Sequence, residues 1–148
     1  MSAVTATPTI LQDIVRRETR SLLLYIGDSV PWTTVDRASD LATLRQLFHR
    51  ETNAISAIGK YLVRQRLTPP FPGSYPANFT SYNFMDLSYL SPRLVAAQEQ
   101  SISLLAADVA RVQEPEAKKQ LEQLLVVKQL TLVGLNALGS SQTRPASA

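Results

Sequence analysis

The residues of this sequence with most potential for chemistry are two glutamates that fall among apolar residues of helical periodicity. Glu18 and Glu51 each occupy a position on the inward stripe of an amphipathic helix. A lone buried carboxylate is costly unless it is paired, hydrogen-bonded or protonated. The two residues are 33 positions apart, so two helices joined by a short turn can bring them to the same level. Carboxylate oxygens bind hard cations, and the pair is therefore a candidate metal site.

The other residue types limit what such a metal site could contain. The chain has no cysteine and one histidine, His49. Cys-ligated zinc, disulfides and thiolate nucleophiles are therefore excluded, and a metal site would be carboxylate-based or completed by another chain. His49 lies two residues before Glu51, about 200° round the helix and so on another face. It is not a candidate ligand beside Glu51.

Composition favours one soluble globular domain. The chain has 148 residues, of which 45% are apolar and 18% charged. The formal net charge of +3 is small and the acids are interspersed with the bases, so we expect no nucleic-acid binding. There is no apolar run of membrane-spanning length and no signal-peptide pattern at the N-terminus. We therefore expect a cytoplasmic protein without a membrane span.

Apolar periodicity and helix-breaking residues predict four helices and no strand. The predicted helices are A (9–27), B (36–66), C (91–113) and D (115–138). Residues 1–8 are expected to be flexible, and 139–148 to form a disordered tail after Gly139 stops helix D. Ser91 followed by Pro92 predicts the N-cap of helix C. The residues of helix D predicted to face inward are Leu121, Leu124, Val127, Leu130 and Leu135.

The segment 67–90, between helices B and C, differs from the rest in composition. It contains four prolines and six of the nine Tyr and Phe residues. The six rings are Phe71, Tyr75, Phe79, Tyr82, Phe84 and Tyr89. Because so many exposed rings would be costly, we expect an ordered crossover whose rings mainly cover the core. Short A–B and C–D connections with one long B–C crossover predict an all-α, antiparallel four-helix bundle with ferritin-like connectivity.

The first hairpin also resembles that of the ferritin-like superfamily, near rubrerythrin and its small bacterial relatives. Glu18, with Tyr25 seven residues later, resembles the first-helix glutamate and aromatic residue of that family, and Glu51 falls at the position of its second-helix glutamate. Residues 94–135 resemble the other half of the bundle in register and apolar pattern. The resemblance implies a di-iron centre to which each hairpin supplies a Glu and a Glu-x-x-His.

Most of the implied ligands are absent from this sequence. Ala54 replaces the histidine that would follow Glu51, and Gln98 aligns with the glutamate of helix C. The Glu-x-x-His of helix D reads as residues 127–130, Val-Lys-Gln-Leu. Two of six ligand positions survive, so we expect no bound metal, no cofactor and no catalytic residue. The expected remnant is a polar cluster formed by Glu18, Glu51, Tyr25 and Gln98.

These features predict a non-catalytic structural or protein-interaction module, a homodimer or bound to a protein partner through the A–B face or the aromatic crossover. One alternative is a ferritin-like protein with a remodelled carboxylate metal site. Another is a histidine-phosphotransfer-like signalling bundle, because Ala54 and Gly59 lie at the offsets from His49 found in that family. Thr52 and Asn53 stand where that family has Lys and Gly, which removes a cation from beside the phosphoryl group.

Overall fold

The computed structural model describes residues 3–29, 31, 33–70, 73–83 and 85–143. These residues are all-helical, with five α-helices and no strands. The helices are α1 (Ala3–Glu18), α2 (Leu22–Ser29), α3 (Ala38–Arg64), α4 (Leu87–Arg111) and α5 (Pro115–Thr143). Short 3-10 helices lie at Val35–Arg37 and Ala77–Tyr82. The prediction of an all-α fold is confirmed.

The predicted helix A consists of two helices, α1 and α2. In the break between them, the hydroxyl of Thr19 donates to the carbonyl of Val15 at 2.6 Å, a side-chain bond that competes with the helical ladder. The Oγ of Ser21 accepts from the backbone N–H of Leu24 at 3.3 Å, which caps the new helix α2. Helix α1 starts at Ala3, so residues 3–8, expected to be flexible, are helical.

The limits of the later helices differ from prediction in two places. Helix α4 starts at Leu87, because the carboxylate of Asp86 accepts from the Ser88 N–H at 3.2 Å and acts as the N-cap. Ser91, the predicted cap, lies inside α4 and its hydroxyl donates to the carbonyl of Leu87. Helix α5 continues through Gly139 to Thr143, so the first part of the predicted tail is helical. Residues 144–148 lie outside the described residues.

The aromatic rings between α3 and α4 cover the core, as predicted, wherever they are described. The rings of Tyr75 and Phe79 pack on Tyr25, with centroid distances of 5.1 and 5.5 Å, and Tyr82 continues the row at 6.3 Å from Phe79. Tyr89 is different, since it is exposed on α4. Phe71 and Phe84 lie outside the described residues.

The five helices surround one apolar core. Helices α1 and α2 both pack against α3 and against α4, and α5 packs against α3 and α4. The approach of α5 to α3 is close, because a Cβ built on Gly134 would lie 2.8 Å from a methyl group of Leu47. Helix α5 is also the one helix of the described chain that could span a membrane by length and composition, over Pro115–Leu138. One third of its most apolar stretch is buried in the fold.

The start of α5 is joined to α3 by a tyrosine–carboxylate pair. The carboxylate of Glu114 accepts from the N–H groups of Glu116 and Ala117, at 3.1 and 2.8 Å, and from the Tyr61 hydroxyl at 2.7 Å. The hydrogen bond from Tyr61 and those from the backbone lower the pKa of Glu114. Burial, followed by the bond to Glu114, raises the pKa of Tyr61 to about 12. Both shifts favour a neutral phenol on an ionised carboxylate.

We therefore expect Tyr61→Phe to destabilise the protein in a pH-dependent manner. A lowered pKa for Glu114 stabilises the fold above its ordinary value of about 4.5, and this contribution disappears as the pH falls through the lowered pKa. The difference in Tm between wild type and Tyr61→Phe should be constant near neutral pH and shrink on acidification below pH 4.5. Tyr89→Phe, at an exposed ring, is the matched control. An equal difference at pH 7 and pH 3 would contradict this account.

Candidate functional site

Four buried polar residues, one from each of α1, α3, α4 and α5, meet in the core. Three of them were predicted: Glu18, Glu51 and Gln98, with exposed fractions of 1%, 0% and 3%. The fourth is Lys128, which is fully buried. A buried lysine requires paired acceptors, and the two glutamates provide them.

The ammonium group of Lys128 lies between the two carboxylates. Its Nζ donates to Oε1 of Glu18 at 2.6 Å and to Oε1 of Glu51 at 2.6 Å. The amide Nε2 of Gln98 donates to the other oxygen of Glu51 at 2.9 Å and to the backbone carbonyl of Lys128 at 3.0 Å. Gln98 therefore fixes both Glu51 and the backbone of α5, and each oxygen of Glu51 has a donor.

Glu18 is also bonded on its other side, toward the protein surface. The hydroxyl of Ser101 lies 2.9 and 3.0 Å from its two oxygens, and Nε of Arg17 donates to Oε2 at 2.9 Å. Arg17 then donates through Nη1 to Asp108 at 2.9 Å, and Arg111 donates to the second oxygen of Asp108 at 2.8 Å. Helices α1, α4 and α5 are thus joined by one continuous set of ion pairs.

The network contains equal numbers of acids and bases. Three carboxylates and three cations alternate in it, and their formal charges cancel. Desolvation of Arg17 by burial opposes its charge, but the attraction of Glu18 and Asp108 is larger and the pKa of Arg17 is raised. Each charge of this network therefore has an opposite partner, which is the condition for burying such groups.

Sequence reasoning missed Lys128 because it placed the inward stripe of helix D one residue away. Leu130, expected to face inward, is half exposed, and Val127 is only partly buried. The stripe observed on α5 is Leu121, Leu124, Lys128, Thr131, Leu135 and Leu138. Its steps alternate between three and four residues throughout, whereas the predicted stripe needed a step of five between Leu130 and Leu135. The irregular step of five residues was the signal in the sequence that the predicted inward face of helix D was misplaced.

Two other residues singled out in the sequence are not part of the cluster. The hydroxyl of Tyr25 donates to Oδ1 of Asn83, in the connection between α3 and α4, because the break before α2 changes the register of its side chain. Its predicted place beside Glu18 is wrong. His49 is exposed on α3, with its ring beside Phe48, as expected from its position round the helix. The phosphotransfer interpretation of His49 stays a prediction.

The donor set does not fit the di-iron centre that the family resemblance implies. Ala54, at the position of the missing histidine, packs against the core. An ammonium group offers three donors and no lone pair, so it repels a metal ion. Among the described residues there is no group of three or more His, Cys, Asp and Glu side chains that could hold a metal. The arrangement holds the four helices together by charge.

Removal of the Lys128 charge should be strongly destabilising. We expect Lys128→Met to lower the free energy of unfolding by about 3–5 kcal/mol, because it leaves two buried carboxylates without their shared cation. Urea unfolding followed by circular dichroism measures the effect. Lys119→Met, at an exposed lysine of the same helix, is the control and should change stability by less than about 0.5 kcal/mol.

A triple variant separates lost charge pairing from altered packing. Glu18→Gln, Glu51→Gln and Lys128→Met together leave no unpaired charge at these three positions. The triple variant should recover at least half of the stability lost in Lys128→Met alone. If the three substitutions were additive and all destabilising, the pairing between these groups would not be the source of the effect.

Comparison with known proteins gives no further guide to this site. No family model, no curated protein and no solved structure matches the chain. The interpretation of the site therefore depends on its geometry, in which a lysine ammonium is held between two buried glutamates.

Proposed function

We propose that this chain is a ferritin-like four-helix bundle in which an internal ion pair stands in place of the metal centre. Helices α1 and α2 would together occupy the position of one bundle helix. The order of packing supports this arrangement, because α3 and α4 lie on opposite sides of the core and are joined by the long connection 65–86. One long crossover between two short-looped hairpins is the connectivity of ferritin-like folds.

The position of Lys128 is the observation that carries this proposal. Its ammonium group lies 2.6 Å from a carboxylate of α1 and 2.6 Å from a carboxylate of α3, in the part of the core where a carboxylate-bridged metal would lie. Gln98 stands where the family resemblance implies a glutamate ligand in helix C. Its amide donates a hydrogen bond to Glu51 instead of coordinating a metal. The function that fits this site is non-catalytic, that of a structural or protein-interaction module.

Metal binding tests the proposal directly. Wild-type protein incubated with Fe²⁺ or Mn²⁺ and desalted should retain less than stoichiometric metal by elemental analysis. Lys128→Ala removes the ammonium and leaves both carboxylates, so its Tm should rise with added Mn²⁺ through ligand stabilisation of the folded state. The Tm of Lys128→Ala/Glu51→Ala should not rise. Stoichiometric metal on the wild type that is lost in Glu51→Ala would overturn the proposal.

The outer face of α5 is the surface best suited to a protein partner. Val126, Leu130 and Val133 are 54%, 51% and 67% exposed and lie at helical steps of four and three residues. All exposed residues between positions 123 and 137 are uncharged: Gln123, Val126, Gln129, Leu130, Val133, Asn136 and Ala137. At 1.5 Å per residue this uncharged face is roughly 21 Å long. Contiguous apolar surface of this kind marks interaction sites.

We propose that the partner on this face is a second copy of the chain. Two α5 helices related by a twofold axis bring the same uncharged stripe together from both sides, as isologous interfaces require. No like charges then face one another, because the one charged residue between positions 123 and 138 is the buried Lys128. The aromatic crossover expected from the sequence is less suitable as a contact surface, since Tyr75 and Phe79 pack inward. The A–B face, the other surface expected from the sequence, stays a prediction.

Oligomeric state measured against concentration tests the dimer. Wild type should sediment as a dimer at micromolar concentration, and Leu130→Glu should weaken association at least tenfold by placing a charge at the centre of the interface. Val63→Glu, at an exposed valine of α3, should leave association unchanged. A wild-type monomer at all accessible concentrations, or binding of α5 to lipid vesicles instead of to itself, would overturn the dimer.

A further inference from the structure

A cleft beside the buried ion pairs has features of a ligand site that the proposed function does not use. It lies between the α1–α2 junction and α4 and has a volume of about 530 Å³. Clefts of about 300–1,000 Å³ hold small organic molecules in many proteins. Its lining includes Arg17, Arg20, Leu23, Arg93, Ala97 and Leu104.

The first feature is an arginine with unused donors, Arg20, at the α1–α2 junction. Nε of Arg20 donates to the carbonyl of Arg16 at 3.3 Å, and no carboxylate of the described residues forms a salt bridge with its guanidinium. Nη2 of Arg17 is buried and has no hydrogen-bond partner. Because this atom is closed to solvent, the donors open to a ligand in the cleft are those of Arg20.

Arg93 also lines the cleft but is already engaged. Its guanidinium carbon lies 3.6 Å from the centroid of the Tyr89 ring, and its Nη1 donates to the Tyr89 carbonyl at 2.9 Å. The acid nearest the junction, Glu18, is likewise committed to Lys128, Ser101 and Arg17. Among the described residues that line the cleft, Arg20 is therefore the cation with free donors and with neither a carboxylate nor an aromatic ring as its partner.

The second feature is an apolar lining that continues away from these arginines. Leu23 of α2 and Leu94 of α4 are buried core residues that also line the cleft, with Ala97 between the helices. Leu104 of α4 is a large apolar residue left 44% exposed at the cleft. The rings of Phe79 and Tyr82 also line it. Contact with an apolar chain would remove Leu104 and the partly exposed rings from water.

From these two features we propose that the cleft binds a small amphiphile with a carboxylate head and an apolar chain. The planar guanidinium group of Arg20 suits a carboxylate, which accepts two hydrogen bonds in one plane. The N-terminus of α2, capped by Ser21, also lines the cleft, and its dipole favours a negative group there. The chain of the ligand lies along α4 over Leu23, Ala97 and Leu104.

Calorimetric titration of the full-length protein with dodecanoate, below its critical micelle concentration, tests this proposal. Dodecanoate should bind at one site per chain. Dodecanol, which has the same chain without the charge, and acetate, which has the charge without the chain, should each bind at least tenfold more weakly. Equal binding of dodecanoate and dodecanol, no dodecanoate binding, or tighter binding of dodecyl phosphate would overturn the assignment.

Variants locate the head group within the cleft. Arg20→Gln should weaken dodecanoate binding about tenfold, because it removes the free cation and leaves the ion pairs of Arg17 in place. Arg93→Gln should weaken it less than threefold, and Arg50→Gln, at an exposed arginine of α3, should have no effect. Leu104→Asn should weaken dodecanoate more than octanoate. If wild type and Arg20→Gln bound dodecanoate with equal affinity, the assignment of the head group to this cleft would be wrong, even if dodecanoate bound elsewhere on the protein. This test is independent of the metal-binding test on the Lys128 variants.

Discussion

The ammonium group of Lys128 between the carboxylates of Glu18 and Glu51 is the contact on which the rest of the core depends. Each of these three charges would be prohibitively costly in an apolar interior by itself. Together they carry one net negative charge, and Arg17 and Ser101 bond the remaining side of Glu18. The three residues come from three different helices, so the positions of α1, α3 and α5 are coupled. A shift of any one helix along its axis would leave a charge without its partner.

The hydrogen bonds and ion pairs around Lys128 define the relative positions of the helices more narrowly than apolar packing can. Apolar side chains accept many relative positions of two helices, whereas hydrogen bonds of 2.6–3.0 Å accept few. Gln98 fixes α4 to α5 through a backbone carbonyl, and Asp108 fixes α4 to α1 through Arg17. The break between α1 and α2 follows Glu18 directly, so the end of α1 is held where the chain changes direction. We infer that these ion pairs restrict how the helices can pack against one another.

Part of this structure could be predicted from the sequence because its signals are periodic. The limits of α3 and the buried positions of Glu18, Glu51 and Gln98 follow from apolar residues spaced three and four apart. Lys128 could not be found by the same rule, since a lysine is normally placed on the exposed side of a helix. Its burial depends on two acids far away in sequence. The site of Tyr25 was missed because the helix break at Thr19–Ser21 depends on local side-chain bonds that apolar periodicity does not register.

A cation that belongs to a side chain differs from one taken up from solution. Lys128 is present once in every chain, so its occupancy is decided when the protein is synthesised and does not vary with ion concentration in the surroundings. Chelators cannot extract it and competing ions cannot exchange with it. Because the group is fully buried between its two acceptors, it leaves the site only when the helices themselves separate.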